Sequence, residues 1–377
     1  MSIFNKDEIS IYFHVPFCKN KCPYCDFNSY TNISEFNEDE IVYCYKKHIE
    51  YWRAAVGDRS VGSIFFGGGT PSILRTSSLE NIINSVRDNF RLSDECEISI
   101  EVNPNSVDEE IFKKYVKIGI NRLSIGVQSL SKKDLKFLGR SHSVEDAIDA
   151  IKTAKKYFKN MSADFIYSLP EQDAENWGKE LNEIIKLDLP HYSLYQLTIE
   201  ENTPFGRAKI KIPQDEKSLK LFSLTRNLMK ENLIEAYEVS NFSKDGFECK
   251  HNKKYWDGSS YIGIGAGAHG RVFLGDKWLA TENCKSPKKW IESIDRPVES
   301  YKTFELNENE RVEEILITSL RTKYGFEYSK YKKQISLDSE NLKRFRNNGL
   351  IEFNENRIRL TEEGIPMINY LLPKIIL

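Results

Sequence analysis

The sequence predicts an α/β protein: a partial (β/α)6 TIM-like barrel followed by a small C-terminal winged-helix-like domain. Three observations carry that expectation. Short β-rich runs alternate with amphipathic helical stretches six times over the first two thirds of the chain, the pattern of successive parallel βα units. Polar residues with chemical potential fall at or beyond the ends of these runs, where a barrel builds its sites. From about Glu308 the rhythm becomes helical and then closes on a strand, a turn and a strand.

The expected strands are Ile9 to Val15, Val61 to Phe66, Cys96 to Val102, Ile120 to Val127, Met161 to Tyr167 and Tyr192 to Leu197. Between the first two, Ile41, Tyr45, Ile49, Trp52 and Val56 recur at near-helical spacing, which leaves Lys46, Lys47, Glu50 and Arg53 mostly on the other face. That is the signature of an outer helix. Periodicity alone does not separate an open doubly wound sheet from an incomplete barrel; the motifs favour the barrel. After Leu233, Arg271 to Phe273 and Lys277 to Ala280 flank Leu274-Gly275-Asp276 as a hairpin. Val312, Ile315, Leu316, Ser319 and Leu320 share a helical face, and Leu350 to Phe353 and Arg357 to Leu360 flank Asn354-Glu355-Asn356. The expected division is 1-235 for the barrel, 236-304 for a connecting hairpin region and 305-377 for the C-terminal domain.

Composition narrows the function classes. A chain of 377 residues with 40% apolar and 29% charged residues can bury a large core, which excludes wholesale disorder. Fifty-four Lys and Arg against 56 Asp and Glu give a net charge of -2, so no global field favours nucleic acid or an anionic membrane. Lys343, Arg344 and Arg346 are offset by Glu340, Glu352, Glu355, Glu362 and Glu363, so no nucleic-acid partner is expected. No apolar run approaches the roughly 20 residues of a membrane span. Met1 to Ser10 lacks a basic segment followed by an apolar one, and a cytoplasmic location is expected.

Seven cysteines, three of them between positions 18 and 25, suit a reducing compartment and a metal site better than a disulfide framework. Cys18, Cys22 and Cys25 are spaced as CxxxCxxC directly after the first expected strand. A short loop can wrap three such soft thiolates around one cuboidal iron-sulfur cluster, leaving one iron without a protein ligand. A zinc site completed by His14 or a distant cysteine, and unligated buried thiols, are the alternatives. Cys44, Cys96 and Cys284 are expected as free thiols, and His48, His142 and His191 as packed or solvated side chains.

With this spacing the chain resembles the radical S-adenosylmethionine (SAM) superfamily. The resemblance implies a 4Fe-4S cluster whose open iron is chelated by the methionine moiety of SAM, with cleavage to a deoxyadenosyl radical. Further segments, from about Ser10 to the C-terminus, are similar to the oxygen-independent coproporphyrinogen III oxidase branch. Tyr12-Phe13-His14-Val15-Pro16-Phe17 leads into the cysteines as in that family, with Tyr12 and Tyr24 as cofactor neighbours. Gly67-Gly68-Gly69-Thr70-Pro71 corresponds to the loop used for the methionine ammonium, which assigns Gly68, Gly69 and Thr70 to SAM. Glu101, Gln128, Arg140 and Asp164 match positions given to ribose, carboxylate and adjoining contacts. Gly263-Ile264-Gly265-Ala266-Gly267-Ala268-His269 resembles a dinucleotide fingerprint only superficially, because a hairpin follows where the helix should begin. Its family counterpart lies near the adenine end of the cofactor.

Two departures point away from coproporphyrinogen dehydrogenase, which carries another cysteine where this chain has Phe27, and an N-terminal extension. Both match the HemW subgroup of haem chaperones. So does His251-Asn252-Lys253-Lys254-Tyr255-Trp256, which reproduces the HNxxYW pattern associated there with haem. The resemblance implies haem as cargo, held by His251 with Tyr255 and Trp256 against the macrocycle and Lys253 and Lys254 near the propionates; Cys249 is a fallback ligand. Delivery to apo-haemoproteins of the respiratory chain is implied, with membrane contact only through those partners. The rival function is a radical SAM enzyme acting on a porphyrinogen.

Overall fold

The computed structural model describes residues 7–377, so most of the Met1 to Ser10 stretch lies outside the described residues. The first part of the chain runs β1 (Glu8–Val15), α1 (Glu38–Val56), β2 (Ser60–Gly68), α2 (Thr76–Asn89), β3 (Arg91–Val102), α3 (Glu109–Ile118), β4 (Arg122–Gln128), α4 (Lys132–Phe137), α5 (Val144–Ala154), β5 (Asn160–Tyr167), α6 (Ala174–Lys186) and β6 (His191–Gln196). Each strand pairs in parallel with the next. Their spatial order is β1-β2-β3-β4-β5-β6. A doubly wound sheet reverses direction partway and adds strands on both sides of its first. Here every new strand adds on the same side, which is barrel winding.

Side-chain alternation then divides the sheet. Ile11, Phe13, Ile64, Phe66, Ile98, Ile100, Leu123, Ile125, Ala163, Phe165 and Leu194 join the main apolar core, together with Ile41, Tyr45, Ile49 and Trp52 of α1. The intervening residues are largely polar. Ser10, Tyr12, Phe65, Ser63, Glu97, Glu101, Arg122, Ser124, Asp164, Ser193 and Tyr195 face the concave side, where hydrogen bonds link Ser63 to Ser10, Ser124 to Asp164 and Ser162 to His191. Residues from all six strands line one cavity, so the sheet is rolled.

Beyond β6 come α7 (Pro204–Arg207), α8 (Asp215–Glu231), β7 (Glu235–Ala236), β8 (Asn241–Ser243), α9 (Lys250–Trp256), β9 (Tyr261–Ile264), β10 (His269–Leu274), β11 (Lys277–Asn283), α10 (Pro287–Glu292) and β12 (Tyr301–Leu306). β8 pairs antiparallel with β6, and β9 returns to the opposite edge to pair in parallel with β1. β10, β11 and β12 continue outward antiparallel, giving a sheet of twelve strands among the described residues. The β10–β11 hairpin turns on Gly275 and Asp276, since Leu274 already pairs with Lys277. Gly275 takes φ 61, a conformation that glycine reaches without steric cost.

The C-terminal part contains α11 (Glu308–Ser319), α12 (Tyr328–Tyr331), α13 (Ser339–Asn347), the hairpin β13 (Ile351–Phe353) and β14 (Ile358–Leu360), and α14 (Ile368–Ile375). Three helices followed by a two-stranded wing is the winged-helix order. Val312, Leu316, Phe326, Phe345, Ile358 and Leu371 form a separate core. α11 abuts the barrel through Arg311 Nη2, which donates to Gly258 O at 2.8 Å, and Thr318 Oγ1, which donates to Trp256 O at 3.3 Å. Among the described residues no helix is long and apolar enough to cross a membrane.

Candidate functional site

The cysteine loop leaves the carboxyl end of β1 and is pinned by backbone bonds. Cys18 N donates to Tyr30 O at 2.9 Å, and Tyr30 N donates back to Pro16 O at 2.8 Å. The glycine-rich turn after β2 lies directly against it. Thr70 N donates to Phe17 O at 2.7 Å, and a Cβ on Gly69 would stand 2.5 Å from that same oxygen. Glycine is therefore required there by close approach of two backbones.

Side chains from other elements aim at the sulfurs. Thr70 Oγ1 donates to Cys18 Sγ at 3.6 Å, and Arg140 Nη1 donates to Cys22 Sγ at 3.5 Å. Burial pushes the Cys18 and Cys25 thiols up from their usual range. Bound metal would overcome that and hold them as thiolates. Three soft sulfurs on one loop, with a hydroxyl and a guanidinium directed at two of them, fit an iron-sulfur cubane. Among the described residues no three His, Cys, Asp or Glu side chains converge as they would on a single ion.

A cavity of about 340 Å³ opens beside the sulfurs. Its lining brings together Cys18, Cys22, Cys25, Tyr24, Gly68, Gly69, Thr70, Glu101, Gln128, Arg140 and Asp164. Arg140 Nη2 also donates to Gly126 O at 3.0 Å and to Asn103 Oδ1. Gln128 ends β4 at a register shift with φ 71, a left-handed conformation that a side-chain-bearing residue adopts at a cost. Glu101 Oε2 accepts from Gly68 N at 3.2 Å. Burial, and then the nearby Asp164 charge, push the Glu101 carboxyl up to about 8. Burial also raises Asp164, although hydroxyls of Ser193 and Ser124 counter it. The cavity thus offers two carboxyl groups and a guanidinium among its walls, a set able to hold a diol, an ammonium and a carboxylate.

Tyr12 lies on the wall of two adjoining cavities. Its hydroxyl donates to His14 Nδ1 at 2.9 Å, and His14 Nε2 donates to the backbone carbonyl of Asn28 at 2.9 Å. His14 is therefore a brace for the end of the cysteine loop.

The HNxxYW segment is not a surface feature. It forms α9, with Cys249 at its N-cap, and α9 closes the amino-terminal end of the barrel. Glu97 in β3 accepts from the backbone N–H groups of Lys250 and His251 at 3.2 Å each and from Cys249 Sγ at 3.5 Å. His251 is fully buried. Its Nδ1 is 2.8 Å from Ser63 Oγ, its Nε2 is 2.7 Å from Tyr255 OH, and burial lowers its pKa to about 3. Both ring nitrogens are thus engaged, and the ring lies on the wall of a cavity of about 270 Å³ together with Tyr12, Phe65 and Tyr255. Cys249 is equally enclosed, and burial pushes its thiol up to about 12. Lys254 pairs with Glu8 at 2.7 Å, Lys253 lies over the Tyr324 ring and Arg321 lies over the Trp256 ring. The segment cements the barrel floor to the C-terminal domain.

Two features escaped the sequence reading. One is the buried pair of Arg122 and Glu97, 4.0 Å apart in the barrel lumen, whose signal was a charge inside an otherwise apolar strand. The other is His269, the first residue of β10 and exposed, on the wall of a cavity of about 740 Å³ that shares Cys25, Gly68 and Glu101 with the first.

Comparison with known proteins follows the same geometry. The radical SAM superfamily profile matches residues 12–184, and the HemN C-terminal domain profile matches residues 306–367. The chain is 34% identical over 381 residues to the heme chaperone HemW of Haemophilus influenzae, covering 97% of both chains. It is 37% identical over 306 residues to the heme chaperone HemW of Escherichia coli, covering 78% of this chain and 81% of that one. It is 33% identical to the mitochondrial radical S-adenosyl methionine domain-containing protein 1 of Danio rerio, covering 98% and 87%. Among solved structures, coproporphyrinogen III oxidase (HemN) from Escherichia coli superposes with a TM-score of 0.82 at 21% identity, covering 98% and 90% of the two chains. That likeness concerns the fold.

Proposed function

Because the chain belongs to the radical SAM superfamily, in the branch of the heme chaperone HemW proteins, we propose that it is a haem chaperone built on a 4Fe-4S cluster and SAM. The observation that carries this reading is the convergence of Cys18, Cys22 and Cys25 with Gly68, Glu101 and Arg140 around one cavity. When bound, the cluster would supply an electron and an iron with a free coordination position.

The chain's own residues do the remaining work. Cys18, Cys22 and Cys25 are the cluster ligands in this proposal. Arg140 stabilises the Cys22 sulfur and presents its charge to an anionic ligand group. The backbone around Gly68 and Gly69 admits the ammonium end of the ligand, and Glu101 with Asp164 accepts from its hydroxyls. Haem is the cargo, and apo-haemoproteins of the respiratory chain are the proposed recipients, reached in the cytoplasm. Phe27 in place of a further cysteine favours carriage over porphyrinogen decarboxylation.

The test is a two-part assay on anaerobically reconstituted protein. Haem loaded on the chain should pass to an apo-cytochrome in membrane vesicles, and coproporphyrinogen III with SAM and reductant should remain unconverted. Efficient conversion to protoporphyrinogen, or failure to pass haem on, contradicts the reading.

A further inference from the structure

Glu180 belongs to α6, whose Trp177, Leu181 and Ile184 pack into the main core on the outer side of the sheet. Its helix neighbours Lys179 and Lys186 pair with Glu175 and Glu183, and Glu180 lines neither cavity beside the cysteines. Its carboxylate is turned to the β4–α4 connection instead, where Oε1 accepts from Ser129 Oγ at 2.6 Å and from Leu130 N at 2.8 Å. We infer that Glu180 is a positioning residue for the cofactor, holding this turn so that Gln128 and Arg140 face one cavity; the inference rests on the SAM reading above.

The turn is one that needs holding. Gln128 stands at φ 71, beside the register shift between β4 and β5, in a conformation costly for a residue with a side chain. It is fixed from both sides. Ahead of it, Val127 O accepts from His142 Nε2 at 2.9 Å; behind it, Ser129 and Leu130 are bonded to Glu180. Ser129 is fully buried, so removing the carboxylate strands its hydroxyl.

The same bonds reach Arg140. Ser129 Oγ accepts from Ser131 N at 2.9 Å, and Ser131 is the N-cap of α4. At the other end of that short helix Arg140 N donates to Leu135 O at 2.9 Å. The two side chains then converge: a Cβ on Gly126 would meet Gln128 Nε2 at 2.9 Å and Arg140 Nη2 at 3.5 Å, so amide and guanidinium lie over one glycine. Both line the cavity of about 340 Å³ beside the sulfurs. Glu180 thus acts on the cofactor through two groups that it does not itself touch.

The experiment titrates SAM by calorimetry into the anaerobically reconstituted full chain, as wild type, Glu180→Ala, Glu180→Gln, Ser129→Ala and the Glu180→Ala, Ser129→Ala double variant. Glu180→Ala should bind SAM about tenfold more weakly, with iron, sulfide and cluster absorbance unchanged. Glu180→Gln, whose amide oxygen still accepts both bonds, should stay within about twofold of the wild type. The double variant should be no weaker than Glu180→Ala, because both changes break one path. A brace that served stability alone would lower the urea midpoint and leave SAM affinity untouched, so wild-type affinity in Glu180→Ala overturns the inference, as do additive losses in the double variant. Where Glu180→Ala does not fold, Ser129→Ala decides, and wild-type affinity there overturns the inference too. A wild-type chain that binds no SAM overturns the cofactor reading itself, and the inference with it.

Discussion

Arg140 and Cys22, 118 positions apart in the chain, meet with a guanidinium nitrogen 3.5 Å from the sulfur. The contact places a fixed positive charge beside a proposed cluster ligand and at the edge of the cavity proposed for the cofactor. Arg140→Gln keeps an amide of similar reach and removes the charge. We expect SAM to bind about tenfold or more weakly in this variant, with iron content unchanged, as read by isothermal titration. An unaltered dissociation constant would separate Arg140 from cofactor binding.

The ligand set makes a second prediction. Cys18→Ala, Cys22→Ala and Cys25→Ala should each lose cluster absorbance and most of the bound iron and sulfide, whereas Cys44→Ala and Cys284→Ala should keep both. Cys284 is the informative control, because its backbone carbonyl accepts from Gly267 N at 2.9 Å, close to the loop. Loss of the cluster in Cys284→Ala would make it a fourth thiolate and remove the open iron.

Glu101 gives a pH dependence whose sign is fixed by the direction of its shift. The folded-state carboxyl is pushed up to about 8, chiefly by burial. Its neutral form therefore favours the folded state most below the unfolded value of roughly 4.3, and that advantage fades as pH rises through about 8. Glu101→Gln should match the wild type near pH 4 and become more stable than it by pH 9, by on the order of a few kcal/mol. Urea midpoints across that range check it; parallel curves for the two proteins would contradict the assignment.

His251 is held between Ser63 and Tyr255 at the barrel floor. Replacing it with Ala leaves a cavity and takes the ring partner from the Tyr255 hydroxyl, while Ser63 keeps its bond to Ser10, a loss of about 2–4 kcal/mol. Chemical denaturation of the cluster-free protein should show this. A variant as stable as the wild type would mean that α9 closes the barrel without this side chain.

The six barrel strands were legible because each is a short apolar run bounded by polar turns, and the observed strands begin and end within a few residues of the expected ones, except that β3 starts five residues early at Arg91. The cysteine loop was legible from spacing. The additional sheet edge was not: β9 spans only Tyr261–Ile264, too short to show a period, and it pairs with β1 across some 250 residues. The placement of His251 was hidden for a different reason. A His and a Tyr four residues apart share a helix face, but nothing in that spacing says whether the face meets solvent or the Ser63 hydroxyl. The lumen was written in the strands all along, as Ser10-Ile11-Tyr12, Glu97-Ile98-Ser99 and Arg122-Leu123-Ser124, where every second residue is polar.

The most direct test of the account is electron paramagnetic resonance of the anaerobically reconstituted, dithionite-reduced protein, recorded with and without SAM. A cubane on three cysteines with one accessible iron should give a reduced-cluster signal that shifts when SAM is added. A signal identical in both samples, or none at all, would contradict it.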